Sequence, residues 1–402
     1  MRFPVGASVT IEELEADPYP LLGRLRATEP VSWVPVLGGW LVTRHDLALR
    51  VMRDPATFTV DDPRFSTAQV VGTSMLSLDG TEHTRHRDAF ARRFRPAETR
   101  TRFTAFVERE VDRLIAGVAA RGYAEVRADL AGPLAVAVVT EALGLRGVTA
   151  ATVRSWYDAF VTAVSAITAG RPANAADAYE ELRASVEAAL EEEPAPGAHG
   201  RTDHEATARD DSLLAAAARD LTTPEVVANA AVLMFGGIDT TEGMITNAVL
   251  HLLSHPAQLA AVRADPGLLA GAVEESVRLE PAASVVDRYA TQDVTLGDAG
   301  IAKGDLVRVS IAAANRDPAV FADPHRYDIR RTGVDRHLAF AHGPHFCFGS
   351  HLARLETTTL LRALLRVPGL RLAHVADPCG LVFRKPSALS IEWNVQPAAF
   401  TM

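Results

Sequence analysis

The chain has 402 residues, 48% hydrophobic and 23% charged, so it can bury a large core. Its net charge of −9 and pI near 5.8 speak against a nucleic-acid-binding surface, which needs a basic face. Two cysteines exclude a disulfide scaffold and suit a reducing cytoplasm. The start, Met1-Arg2-Phe3-Pro4-Val5-Gly6, has no apolar stretch long enough for a signal peptide. The longest apolar run, Val226 to Ile238, is broken by Asn229 and falls short of the ~20 residues that span a bilayer. A cytoplasmic protein with neither membrane nor nucleic-acid partner is expected.

In chain order, helical periodicity covers Ile11 to Thr28, Arg44 to Arg53, Glu82 to Phe94, Arg100 to Arg121, Leu130 to Leu143, Ala150 to Ile167 and Ala173 to Glu192. It resumes over Thr223 to Ser254, Pro256 to Asp265, Leu268 to Leu279 and Ser350 to Arg366. Strand-like stretches are short. Val31 to Val36 and Gly39 to Thr43 read as a hairpin through Leu37-Gly38, and Val294 to Leu296, Leu306 to Ser310 and Leu389 to Trp393 follow. Glu193 to Asp211, rich in Pro, Gly, His and Asp, reads as a mobile loop. No repeat is visible. The expectation is a mainly α protein with a small β portion, one domain over residues 1–402.

Four of these segments carry chemistry. His83 and Arg87 lie i, i+4 on one helix face, suited to gripping carboxylates or else part of a solvated basic face with arginines 85, 92, 93, 95, 100 and 102. The basic cluster would also steer an acidic electron donor. Thr223-Pro224-Glu225 is a strong helix start with Thr223 as N-cap, and the helix it opens is a rod of roughly 45–50 Å. Within it Gly236 and Gly237 cost about 1 kcal/mol each against alanine. They either make room beside Asp239 and Thr240, an acid and an alcohol able to move protons, or pack a neighbouring helix. Glu275 and Arg278 are an i, i+3 pair, worth little if exposed and needing a third partner if buried; Arg326 is the downstream candidate.

The fourth segment is Phe340-Ala341-His342-Gly343-Pro344-His345-Phe346-Cys347-Phe348-Gly349. Cys347 stands between two glycines, with His345 two places upstream and a helix starting just after. A helix N-terminus favours thiolate over thiol. One thiolate cannot build a zinc or iron–sulfur site, but it can be the sole protein ligand of a haem iron. Glycines let a flat macrocycle approach the backbone. Alone, Cys347 reads rather as a small buried hydrophobe. Cys379, beside Asp377-Pro378 and Gly380, reads as an ordinary turn residue.

Together these segments resemble the cytochrome P450 family of haem-thiolate monooxygenases. The pattern Phe-x-x-Gly-x-basic-x-Cys-x-Gly falls on Phe340, Gly343, His345, Cys347 and Gly349; Glu-x-x-Arg on Glu275 and Arg278; the oxygen-activating stretch on residues 236–241; and His-x-x-x-Arg on His83 and Arg87. Ala341 and Gly236 stand where many members have Gly and Ala. The resemblance implies the family's mainly α fold, with haem b (iron protoporphyrin IX) between the long helix and the cysteine helix. It implies Cys347 as iron ligand, and His83, Arg87, Arg288 and His345 on the propionates. Asp239 and Thr240 would relay protons, and Arg326 would complete the ion-pair triad.

It further implies O2 as co-substrate, a ferredoxin with its reductase as electron donors, and a medium-sized, largely hydrophobic small-molecule substrate from secondary metabolism. The pocket walls would include Met234, Phe235, Gly236, Ser284, Val285, Val286 and Arg384, with Asp287 as another polar reader. Hydroxylation or epoxidation leads. Aryl coupling, desaturation, ring formation or nitration, and a non-enzymatic haem protein, stand as alternatives.

Overall fold

The structure is a computed structural model and describes residues 2–145, 147–168, 171–191 and 212–395. The expected loop Glu193 to Asp211 lies outside the described residues. The chain divides into two compact units. One comprises Met1–Phe58, Thr104–Leu134 and Asp239–Met402; the other comprises Thr59–Phe103 and Ala135–Ile238.

The first unit holds the sheets. The expected hairpin pairs Val31–Val34 with Gly39–Val42, Val31 opposite Val42 and Trp33 opposite Trp40. Its turn is a 3-10 turn, Pro35–Leu37, closed by Gly38 at φ +59°. Gly39–Val42 then runs parallel to Leu306–Ser310, which pairs antiparallel with Val285–Ala290. Alternate side chains drive this layer: Val42, Val307 and Val309 are buried against Val51, Met52 and Leu296. Each such burial contributes roughly 1.5–3 kcal/mol.

A three-stranded sheet sets Leu389–Glu392 between Tyr123–Glu125 and Arg371–Val375. Directly after Tyr123–Glu125 the chain makes one turn of π-helix, Val126–Ala131. Leu269–Leu279 packs against the cysteine helix, Ser350–Leu365.

The second unit is helical. Ala150–Thr168 packs against Ser66–Val71 and Ala176–Glu191, and Gly80–Ala91 against Leu213–Ala217. Phe90, Phe160, Leu182 and Val186 are fully buried. Asn229, the polar break in the longest apolar run, is also buried. Its amide accepts from the Met75 backbone at 2.9 Å, donates to the Glu225 carbonyl at 2.7 Å and meets His86 Nδ1 at 2.9 Å. A polar residue in an apolar helix is tolerated here because every one of these groups is satisfied.

The long helix runs Thr223–Ser254, as its pattern predicts. Its cap differs by one residue: the Glu225 side chain accepts from the backbone N–H and hydroxyl of Thr222, at 2.8 and 2.9 Å. Residues 223–238 belong to the second unit and 239–254 to the first.

Two other expectations need correction. Ile11 to Thr28 is two helices, Ile11–Glu15 and Tyr19–Thr28, because Asp17 precedes Pro18 and a residue before proline avoids helical geometry. Short helices at Pro4–Ala7, Ser66–Val71, Leu213–Ala217 and Ile311–Ala314 had no clear periodicity to announce them. Among the described residues no helix is long and apolar enough to cross a membrane.

Candidate active site

The cysteine loop is shaped by backbone constraints. Gly343 sits at φ +73°, and a Cβ there would lie 2.4 Å from the Met52 carbonyl oxygen, so only glycine fits. Ala341 takes the same left-handed region at φ +56° without glycine's freedom. The Cys347 N–H donates to the Phe340 carbonyl at 2.9 Å, closing the loop, and the cysteine helix begins at Ser350. Cys347 is exposed and its Sγ stands near the positive end of that helix, where thiolate is favoured. A Cβ on Gly349 would sit 3.8 Å from the sulfur, an ordinary contact.

Phe340 is held from behind. The Arg354 guanidinium lies over its ring at 4.3 Å and pairs with Glu274 at 2.5 and 2.9 Å. His337 Nε2 meets Glu274 Oε2, the oxygen that Arg354 Nη2 also reaches, at 3.0 Å. Burial pushes the Glu274 carboxyl up, but Arg354 and His337 outweigh it and hold its pKa down to about 2. Arg53 meets His342 at 3.2 and 3.0 Å, adding a cation on the N-terminal side of the loop.

The other sequence-predicted anion partners lie in both units. In the first unit Arg288 is buried on Val285–Ala290 and donates to the Asp287 carbonyl at 2.7 Å. His345 is half-buried in the turn Gly343–His345. In the second unit His83 is buried and Arg87 half-buried on one face of Gly80–Ala91, while Glu82, Thr84 and Asp88 are exposed. His83 thus does not belong to a solvated basic face.

The two helix glycines have separate reasons. A Cβ on Gly237 would come within 2.7 Å of the Val139 side chain, so Gly237 serves helix packing. A Cβ on Gly236 would meet nothing within 4 Å. Met234 and Phe235 are buried.

One turn on, Asp239 belongs to a charge cluster that the sequence does not announce. Its Oδ1 pairs with Lys385 Nζ, which also reaches Glu242 Oε1 at 2.8 Å. Arg127 Nε, on the π-turn, meets the same Glu242 oxygen at 2.8 Å. Burial pushes the Glu242 carboxyl up, yet Lys385 and Arg127 bring it below the usual range. The i, i+3 spacing of Asp239 and Glu242 is the only local signal for this cluster.

The Glu275–Arg278 pair is fully buried, with contacts of 2.7 and 2.8 Å. Its third member is Arg331, not Arg326. Arg331 Nε meets the two Glu275 oxygens at 2.9 and 3.0 Å and is 8% exposed. The Arg326 side chain is 69% exposed, 3.7 Å from Asp328. What Arg326 supplies is its carbonyl, which accepts from Arg278 at 3.3 Å and Arg331 at 2.8 Å. The turn that exposes Arg326 carries the chain back so that Arg331 enters.

Three expected polar pocket readers are engaged elsewhere. Arg384 is buried on Glu280 at 2.9 Å and on the carbonyls of Glu15, Ala16, Pro378 and Gly380. The Ser284 hydroxyl donates to the Leu381 carbonyl, and Asp287 pairs with Arg308 at 2.6 and 2.7 Å. Val285 is buried, and Val286 packs against the sheet core. One further acid has no sequence signal: Glu356, on the cysteine helix, is buried, and among the described residues its Oε2 has no hydrogen-bond partner.

Comparison with known proteins agrees with this chemistry. The family model described as Cytochrome P450 matches residues 267–378. The chain is 38% identical to cytochrome P450 monooxygenase PikC of Streptomyces venezuelae, over 95% of this chain and 92% of that protein. The chain is a cytochrome P450. It is also 33% identical to the 20-oxo-5-O-mycaminosyltylactone 23-monooxygenase of Streptomyces fradiae, over 91% of this P450 and 86% of that protein. The crystal structure of CalO2 superposes with a TM-score of 0.82 at 30% identity, covering 94% of this chain and 96% of that one. This P450 has the family's mainly α fold and is an oxidoreductase of the monooxygenase type. Its cofactor is haem b, held in the family by a cysteine thiolate, and it works with O2, a substrate and a redox partner that donates electrons.

Proposed function

We propose that this P450 hydroxylates or epoxidises a medium-sized, largely hydrophobic small molecule of secondary metabolism, with Cys347 as the ligand of its haem. The observation that carries the reading is the cysteine loop: a sulfur at a helix N-terminus, flanked by Gly349 and fixed by the Phe340 carbonyl. When bound, haem supplies the redox chemistry that activates O2. The chain's own residues do the rest. Cys347 would give the thiolate and Phe340 and Gly349 would shape its surroundings; Arg288 and His345 would receive propionates, and His83 and Arg87 are the second unit's candidates for the same role. Asp239 and Thr240 would hold and move protons beside the bound O2. That acid–alcohol pair supports the O2-dependent route.

Met234, Phe235 and Gly236, with Val285 and Val286, are the apolar candidates for the substrate wall. Ser284, Asp287 and Arg384 have structural partners instead, which favours an apolar substrate over a charged one. PikC and the tylactone 23-monooxygenase, both oxidising enzymes of Streptomyces, support a secondary metabolite. A ferredoxin with its reductase suits the basic cluster, of which Arg92, Arg95 and Arg100 are exposed.

The test is a turnover under ¹⁸O2 with a compound found by its effect on the ferric spin state. Incorporation of one labelled oxygen atom is expected. A product that has only lost hydrogen would replace hydroxylation with coupling or desaturation.

A further inference from the structure

Asp239 does not stand alone. Four charged groups from three elements meet around it: Asp239 and Glu242 on the long helix, Arg127 on the π-turn, and Lys385 on the strand Lys385–Pro386. The other residue facing Lys385 across its two-stranded ladder is Cys379. The cluster has two cations and two anions, so it is neutral with Asp239 ionised. Both the Lys385 and Asp239 side chains are 12% exposed, and that of Glu242 is 1% exposed. Gly243, on the long helix, lies beside the lysine stem and closer still to Ala282. A Cβ there would meet the Lys385 stem at 3.6 and 3.7 Å and the Ala282 side chain at 3.0 Å.

We propose that Lys385 is a positioning residue for Asp239, a cation shared between Asp239 and Glu242 so that Asp239 can gain and lose a proton without stranding a buried charge. The inference rests on the reading of Asp239 as the acid that bears a proton beside Thr240. With Asp239 ionised, Lys385 holds both carboxylates. When Asp239 takes a proton, Lys385 keeps Glu242 as its counter-ion. Arg127 holds Glu242 ionised throughout, anchored in turn by the Pro386 and Ser387 carbonyls at 3.3 and 2.7 Å. A single buried ion pair has no such second partner, and protonating its acid would leave a bare cation. The lysine therefore sets where the Asp239 carboxylate points.

The experiment compares wild type with Lys385→Met, Lys385→Arg and Asp239→Asn as haem-loaded proteins. Two readouts are taken. One is the titration of the Asp239 carboxyl by ¹³C NMR in the diamagnetic ferrous CO complex. The other is product formed per electron pair as a function of pH. Removing a cation from beside a carboxylate raises its midpoint, and Lys385→Met should show that rise. The pH profile of coupling should shift the same way, and Lys385→Arg should restore both. Lys385→Gln is a second neutral variant should Lys385→Met fold poorly, and the same upward shift is expected in it. An Asp239 midpoint and a coupling profile unchanged by loss of the lysine would overturn the inference. Full coupling in Asp239→Asn would instead remove the proton role of Asp239 on which it rests.

Discussion

Glu356 is a carboxylic acid with nowhere to place a negative charge. Burial pushes its pKa well above the usual carboxylate range. In the unfolded chain it titrates normally, so the folded state binds the proton more tightly. The resulting stability is complete below the ordinary carboxylate range and is lost as pH rises through the raised value. Glu356→Gln should remove that slope, which reaches about 1.4 kcal/mol per pH unit within the window. Denaturant unfolding of both proteins at acid and at mildly alkaline pH checks it; parallel curves would show that Glu356 ionises freely. Ala341 is the second residue under local tension, at φ +56°. Ala341→Gly should stabilise the fold by about 0.5 kcal/mol, the relief of left-handed strain exceeding the added chain entropy. A fall in the unfolding midpoint would show that its methyl packing matters more.

At the scale of elements, the helices with clean periodicity are legible and their ends less so. Thr223 to Ser254 is read correctly end to end because a Thr-Pro-Glu start and a His-Pro stop bracket it. The strand Val285–Ala290 escapes detection because both its faces carry mixed residues, Asp287 and Arg288 among them. The ion-pair triad shows where spacing runs out. Arg326, Arg330 and Arg331 lie within six residues, and only the path of the turn decides which one faces Glu275. Arg331→Met should therefore cost about 3 kcal/mol, since it removes a partner from a buried ionic group. Arg326→Ala should stay within about 0.5 kcal/mol, because its carbonyl is retained. The reverse order in chemical denaturation would return Arg326 to the triad.

At the scale of the whole molecule, the family is legible from a few short motifs because each has one chemical task. The loop around Cys347 needs glycine at Gly343 for reasons of space, and the motif's glycine marks that position in the sequence. Partners contributed by distant segments are not legible. Lys385 lies 146 residues from Asp239, and Arg127 lies 115 from Glu242, so no local pattern links them. The same is true of Arg384, whose burial among carbonyls turns an expected substrate reader into a structural knot. The central claim is that one sulfur ligates the haem. Its most direct test is the absorption spectrum of the reduced CO complex in Cys347→Ser beside Cys379→Ser. The account predicts the thiolate-type spectrum in Cys379→Ser and its loss in Cys347→Ser; a thiolate signature that survives in Cys347→Ser would contradict it.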